Sequence, residues 1–133
     1  MASGKVLVLD ANEVTLEATR LALEAEGYDV ATLKTPFPIF EALHEERPDV
    51  LLLDPNVPEL RGDKILDVLR AFGAIDGVPV ILHATLPEAE AAALAQRCGA
   101  EACVAKSLDR APLLARVREA VERSHVQRGL AKS

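Results

Sequence analysis

The chain has 133 residues, of which 50% are hydrophobic and only four are aromatic. This composition fits one domain with an aliphatic core and excludes an intrinsically disordered chain, which would be poor in Leu, Ile, Val and Phe. The net charge of −6 is unevenly distributed, because residues 1–109 carry a balance of −10 and residues 110–133 a balance of +4. The acidic body excludes general nucleic-acid binding, which needs a basic face to neutralise phosphates.

Short apolar runs predict five β-strands. Most of the runs are too short for helices and several are nearly unbroken, which is typical of strands buried on both faces of a parallel sheet. The runs cover residues 6–9, 28–33, 50–53, 78–82 and 102–105.

Helical patterns separate these runs. In the first helix, Val14, Ala18, Leu21 and Ala25 follow spacings of four, three and four, which predicts that they form its buried face. The residues expected to be buried in the next two helices are Ile39, Phe40 and Leu43, then Ile65, Leu69 and Phe72. The helices are expected between Asn12 and Gly27 and at residues 38–46, 63–72, 88–97 and 109–124. The tail from His125 has no apolar pattern.

The alternation of strands and helices predicts an α/β fold. Right-handed crossovers between successive strands give a single doubly wound, five-stranded parallel sheet, (βα)5, with helices on both faces. The domain is expected to cover residues 1–124, followed by a C-terminal tail of residues 125–133. In such sheets ligands bind beyond the C-terminal ends of the strands, so the residues that follow each strand are the candidates for a site.

Charged side chains stand at three of these strand ends. Asp10 follows the first strand, Asp54 the third and Lys106 the fifth, so we expect them to converge on one crevice. Two carboxylates can hold Mg²⁺, which prefers oxygen ligands, and a metal with a lysine can neutralise a phosphoryl group. Asp54 is then a candidate nucleophile. Each aspartate alone is common in a turn after a strand, but the three residues together at one edge indicate a site.

The chain resembles the receiver domains of bacterial response regulators over residues 5–124. The segments that carry the resemblance are Lys5 to Asp10, Arg47 to Asp54, Pro58 with Gly62, Val78 to Ile81, Gly99-Ala100 and Val104 to Lys106. The most specific of them lies between Pro48 and Gly62. The resemblance implies a flavodoxin-like topology with strand order 2-1-3-4-5.

The resemblance also implies a role in two-component signal transduction. Asp54 aligns with the aspartate that accepts a phosphoryl group, Lys106 with the lysine that pairs with that group, and Asp10 and Asn56 with metal-binding positions, Asn56 through its backbone carbonyl. The implied partners are a histidine kinase or phosphotransfer protein, and a downstream protein that binds the face of the fourth helix, fifth strand and fifth helix. We therefore expect a cytoplasmic regulatory domain rather than an enzyme, as a monomer or weak homodimer.

The sequence departs from the family at the crevice. Ala11 stands where a second acidic residue is usual, so Mg²⁺ binding is expected to be weak. Ala84 replaces the usual Ser or Thr, with Thr85 one residue later, and Cys103 replaces an aromatic residue. These changes indicate a weakened phosphorylation switch and leave an alternative interpretation open, a degenerate receiver that binds proteins without being phosphorylated.

A further departure affects the backbone beside the lysine. Ser107 replaces a proline that usually follows the lysine through a cis bond, so the Lys106–Ser107 peptide is expected to be trans. His83 lies among apolar residues and is expected to be a buried histidine rather than a metal ligand. Cys103 is expected to act as a small hydrophobic residue.

Other classes of protein and location are excluded by missing patterns. No apolar run approaches the ~20 residues of a membrane span, so no membrane association is expected. Cys98 and Cys103 match neither a C-x-x-C motif nor a zinc site, which favours a reducing cytoplasm. The segment from Asp10 to Glu13 has neither G-x-G-x-x-G nor a flavodoxin-type phosphate loop, and Asp54-Pro55-Asn56 is not the D-x-D of a phosphatase.

The C-terminal helix carries the basic end of the chain. Arg110, Arg116 and Arg123 are spaced six and seven residues apart, about two helical turns, so they can share one side. A basic stripe on an acidic domain would attract an acidic partner. Complementing the helix dipole is the simpler alternative.

Overall fold

A computed structural model describes residues 3–56 and 62–132 of the chain, with side chains at 3–56 and 64–127. Within these residues five strands and five helices alternate, as predicted. They are β1 Lys5–Leu9, α1 Glu13–Ala25, β2 Asp29–Leu33, α2 Ile39–Glu46, β3 Val50–Leu53, α3 Gly62–Ala71, β4 Val80–Ala84, α4 Glu88–Cys98, β5 Ala102–Ala105 and α5 Ala111–Lys132. All neighbouring strands are parallel and the order is β2-β1-β3-β4-β5, which confirms the predicted topology.

The sheet divides the core into two layers. Because side chains alternate along a strand, Leu7 and Leu51 contact one layer of helices while Val6 and Leu52 contact the other. The first layer contains α2, α3 and α4, and the second contains α1 and α5. All four residues of β3 are buried, as expected for a central strand covered on both faces.

The predicted buried face of α1 is wrong. Val14 is 81% exposed and Leu21 is 56% exposed, whereas Leu16, Thr19 and Leu23 are buried. Both sets follow a helical period, so spacing does not choose between them. The set with two leucines buries more apolar area than the set rich in alanine, and it faces the sheet.

Two phenylalanines expected in the core lie on the surface. Phe40 is 42% exposed and Phe72 is 76% exposed. Ile39, not its neighbour Phe40, turns toward the sheet, and Phe72 lies beyond the end of α3 at Ala71. The other core residues predicted for α2 and α3 are buried, namely Ile39, Leu43, Ile65 and Leu69.

The fourth strand lies two residues later than predicted, at Val80–Ala84. Pro79 has no N–H for the sheet, but its carbonyl accepts a hydrogen bond of 3.0 Å from the Leu51 N–H. This shift carries the strand to Ala84 and brings that residue to the C-terminal edge of the sheet.

The last helix continues past its predicted end at Ser124 and reaches Lys132. A helix that is already nucleated adds residues without needing an apolar face, and most residues beyond 124 are tolerated in helices. The helix runs across residue 124, where the domain was expected to end and the tail to begin. The division into domain and tail remains a prediction. Within the described residues no helix is long and apolar enough to cross a membrane.

Candidate functional site

Three backbone hydrogen bonds place the predicted site residues at one edge of the sheet. The N–H groups of Asp10, Asp54 and Lys106 donate to the carbonyls of Leu33, Leu9 and Ala84, over 3.0, 2.9 and 2.8 Å. Each of the three therefore extends the hydrogen bonding of the sheet by one residue beyond the end of its own strand. Because the strands are parallel, their side chains start from the same edge.

The Lys106 ammonium bridges the two aspartates. Its Nζ lies 2.7 Å from Asp54 Oδ2 and 2.9 Å from Asp10 Oδ2. Burial alone would lower the pKa of Lys106, but the hydrogen bonds to Asp54 and Asp10 outweigh it and raise that pKa. The lysine therefore stays charged between the two carboxylates, and the predicted convergence of all three residues is confirmed.

The two aspartate side chains differ in their exposure to solvent. The Asp10 side chain is 3% exposed and the Asp54 side chain 12% exposed. In each, Oδ1 accepts a hydrogen bond from the backbone two residues later, the Asn12 N–H at 2.9 Å and the Asn56 N–H at 2.8 Å. Asp54 is thus the carboxylate that an incoming group can reach, while Asp10 is a buried neighbouring charge.

The turn that orients both aspartate side chains was not predicted, although the sequence contains its pattern. Asp10-Ala11-Asn12 and Asp54-Pro55-Asn56 share the pattern Asp-x-Asn directly after a strand. An aspartate that accepts a bond from the backbone two residues on forms an Asx turn, and the repeated pattern was the available signal. Asn12 also caps α1 as expected, because its side chain accepts a hydrogen bond of 3.0 Å from the Thr15 N–H.

The donors for a metal are few. Within the described residues no cluster of three His, Cys, Asp or Glu side chains could hold a metal ion. Asp10 and Asp54 supply two carboxylates, and Ala11 supplies none. A hard cation at this edge would have to share both carboxylates with the Lys106 ammonium.

Ala84 and Thr85 lie differently at the end of β4. Ala84 is 3% exposed and belongs to the strand, and its carbonyl accepts the Lys106 N–H. Thr85 follows the strand and is exposed. The position beside the lysine is therefore the one without a hydroxyl.

The peptide between Lys106 and Ser107 is trans, as predicted, since the described residues contain no cis peptide bond. The trans bond leaves the lysine within reach of Asp54. Ser107 Oγ accepts a hydrogen bond of 3.1 Å from the Asp109 N–H, and Asp109 Oδ1 accepts one of 3.1 Å from the Ala111 N–H. These two bonds lead the chain from the site into α5. Pro58, part of the resemblance, lies outside the described residues.

His83 is buried next to the site, as predicted, with 3% of its surface exposed. Burial lowers its pKa to about 4, and the positive charges of Lys106 and Arg110 contribute in the same direction. Cys103 is half-buried, and burial raises the pKa of its thiol. Both residues are therefore neutral at physiological pH.

Comparison with known proteins agrees with this geometry. Residues 6–118 match the response regulator receiver domain family. The transcriptional regulatory protein CseB of Streptomyces avermitilis is 35% identical over 118 residues, which cover 89% of this chain and 49% of that protein. The DNA-binding response regulator MtrA of Mycolicibacterium smegmatis is 31% identical over 120 residues, covering 90% of this chain and 51% of MtrA. The chain thus spans about half the length of the curated relatives it matches.

Solved structures of receiver domains share the fold. A CheY-like receiver domain from Methanospirillum hungatei superposes with a TM-score of 0.78 at 23% identity, covering 92% of this chain and 97% of that one. The BeF3-activated DrrB receiver domain gives a TM-score of 0.76 at 26% identity, covering 92% and 99%. The chain belongs to the response regulator receiver domain family, whose members are regulatory domains of two-component systems.

Proposed function

We propose that Asp54 accepts a phosphoryl group from a histidine kinase or phosphotransfer protein. The observation that carries the proposal is the Lys106 ammonium, which lies 2.7 Å from Oδ2 of Asp54, the more exposed of the two carboxylates. A positive charge already in place stabilises the negative charge that gathers on the phosphoryl oxygens during transfer.

The transfer is a displacement at phosphorus. An Asp54 carboxylate oxygen forms a bond to phosphorus while the bond from phosphorus to the donor's imidazole nitrogen breaks, and that nitrogen keeps the electron pair and takes up a proton. The hydrogen bonds from Asn56 N–H and Lys106 hold the carboxylate in one orientation during the attack. The product is an acyl phosphate on Asp54.

Mg²⁺ would be held by Asp10, Asp54 and the backbone carbonyl of Asn56, and its charge would neutralise phosphoryl oxygens. With only two carboxylates at the site among the described residues and Lys106 between them, weak binding follows from the low charge and low ligand count. Lys106 supplies part of the neutralisation that the metal would otherwise provide.

The proposed downstream surface is the face of α4, β5 and α5. Arg116 and Arg123 are exposed on α5, but each has an acidic neighbour, Glu119 at 3.6 Å from Arg116 and Glu101 paired with Arg123. The side chains of Arg128 and Lys132 lie outside the described ones. A partner that binds here would be acidic and would compete with these ion pairs.

Incubation with acetyl phosphate, with and without Mg²⁺, tests the phosphoacceptor role. Intact-mass measurement should show one added phosphoryl group, absent in Asp54→Asn and greatly reduced in Lys106→Met. Glu13→Gln, which removes an exposed carboxylate paired with Lys34, is the matched control and should behave as wild type. A chain that stays unmodified under all conditions would refute the proposal and favour the degenerate receiver.

A further inference from the structure

All three phenylalanines of the chain lie on the surface around α2 and α3. Phe37 is 77% exposed, Phe40 42% and Phe72 76%. The rings of Phe40 and Phe72 meet edge to face with their centroids 5.8 Å apart. Aromatic side chains exposed as a group cost solvation free energy and are typical of an interaction site.

An apolar hollow of about 340 Å³ opens at this surface. Phe37 and Phe40 from the α2 side and Ile65 and Val68 from α3 are among the residues that line it, and none of its lining residues is charged. Val68 is itself 41% exposed. The hollow is large enough for one or two aliphatic side chains of another molecule.

A second hollow, of about 460 Å³, shares Phe40 with the first and is cationic because it carries the positive charge of Arg47. His44 and Arg47 line it, and neither forms an ion pair within the described part of the chain. Arg47 ends α2 in the left-handed conformation, with φ of 47°. The carboxylate of Asp76 lies beside Gly73 at the rim without pairing to Arg47. Arg47 therefore presents a positive charge on a body whose first 109 residues carry a balance of −10.

We propose that these two hollows bind a short amphipathic helix of a partner protein, with aliphatic side chains in the apolar hollow and a carboxylate in the cationic one. The shared wall at Phe40 means that the two kinds of side chain need be only about one helical turn apart. Docking a helix by anchors at i, i+3 and i+4 is a common mode of peptide recognition.

Charge selects this occupant. The cationic hollow complements an acidic group, whereas the balance of −10 over residues 1–109 disfavours one elsewhere on that part of the chain. In a symmetric dimer the same patch of both copies meets, so each cationic hollow would face another one, and a second copy of the chain is therefore not the occupant. The inference does not depend on phosphorylation of Asp54.

Three fluorescein-labelled helical peptides test the proposal by fluorescence anisotropy with the full chain. Each carries leucines at i, i+3, i+4 and i+7 on an alanine background, and they differ only in having glutamate, lysine or glutamine at both ends. The glutamate peptide should bind at least fivefold more tightly than the lysine peptide, with the glutamine peptide between them. Equal binding of all three would overturn the assignment of the occupant.

Variants of the surface separate its two halves. Phe37→Ser combined with Val68→Ser should weaken all three peptides at least tenfold, and Arg47→Glu should reverse the preference for glutamate. The matched controls are Leu21→Ser on α1, also an exposed apolar residue, and Arg97→Glu on α4, and both should bind as wild type. Thermal unfolding near that of wild type is expected for every variant, because the changed side chains are exposed.

Two further results would contradict the proposal. The first is binding that survives the double serine variant. The second is a concentration-dependent dimer in sedimentation velocity that the double serine variant abolishes, which would assign the surface to a second copy of the chain.

Discussion

The backbone N–H of Lys106 donates a hydrogen bond of 2.8 Å to the carbonyl of Ala84. The same lysine reaches Asp54 with its ammonium, so the residue at position 84 is one hydrogen bond away from the centre of the site. A small side chain there leaves the phosphoryl group of a modified Asp54 with fewer donors than a serine would supply. A substitution at position 84 that adds a donor should therefore change how well the site stabilises the phosphoryl group.

Ala84→Ser should raise the steady-state fraction of phosphorylated Asp54. A hydroxyl that donates to a charged phosphoryl oxygen contributes about 1.5 kcal/mol, roughly tenfold in the equilibrium between modified and unmodified chain. Phosphate-affinity electrophoresis after acetyl phosphate treatment measures that fraction. Thr85→Ala is the comparison and should change it less than twofold, because Thr85 is exposed and lies beyond the strand. Equal effects of the two substitutions would contradict this assignment.

Lys106→Met should destabilise the fold by about 2 kcal/mol, because it leaves Asp10 buried and uncompensated beside Asp54. Adding Asp10→Asn should restore much of the loss, since an amide needs no counter-charge. Urea unfolding at pH 7.5 measures both. The raised pKa of Lys106 means that its stabilising charge is present below about pH 10.5 and is lost only as the pH rises above that value.

The control for that cycle is Lys34→Met, which removes an exposed lysine paired with Glu13. Its unfolding midpoint should match that of wild type, since exposed ion pairs contribute little. Additive losses in the double variant at Lys106 and Asp10 would show that the bridge does not determine stability.

The strand ends and the site could be predicted because they depend on short-range features. Near-continuous apolar runs locate buried strands, and parallel topology then brings Asp10, Asp54 and Lys106 to one edge whatever the helices do. The depth of Asp10 could not be predicted, because it depends on how neighbouring elements cover the strand ends.

Predictions of helix faces were less successful for a physical reason. In α1, Val14 and Leu16 belong to two stripes of the same period, and only contact with the sheet decides which is buried. Phe72 was expected in the core because it is apolar and in phase with Leu69, yet α3 ends before it. A prediction that assigns every apolar residue of a periodic stripe to the core fails at an interaction surface, because apolar side chains are exposed there.

Ala11→Asp should increase Mg²⁺ affinity at least tenfold, because a third carboxylate adds both charge and a ligand. Isothermal titration calorimetry of wild type and variant measures the change. Ala11→Asn has the same shape without the charge and should bind Mg²⁺ much as wild type does. Affinity that rises little or not at all in Ala11→Asp would mean that position 11 does not face the metal and that Lys106 alone determines the weak binding.

His83 should make the fold sensitive to mild acid. Its pKa is lowered to about 4 in the folded chain, mainly by burial, against an ordinary value near 6.5. Between these values the unfolded chain binds more protons, so stability is fully present above about pH 6.5 and is lost as the pH falls toward 4. The loss of stability between pH 7.5 and pH 5 should be about 2 kcal/mol from this residue.

His83→Val removes this contribution, and the two other histidines, His44 and His125, remain in both proteins. Urea unfolding at the two pH values should therefore show a smaller drop for the variant by that amount. Parallel pH dependence in wild type and His83→Val would mean that His83 titrates normally and is not held neutral by its surroundings.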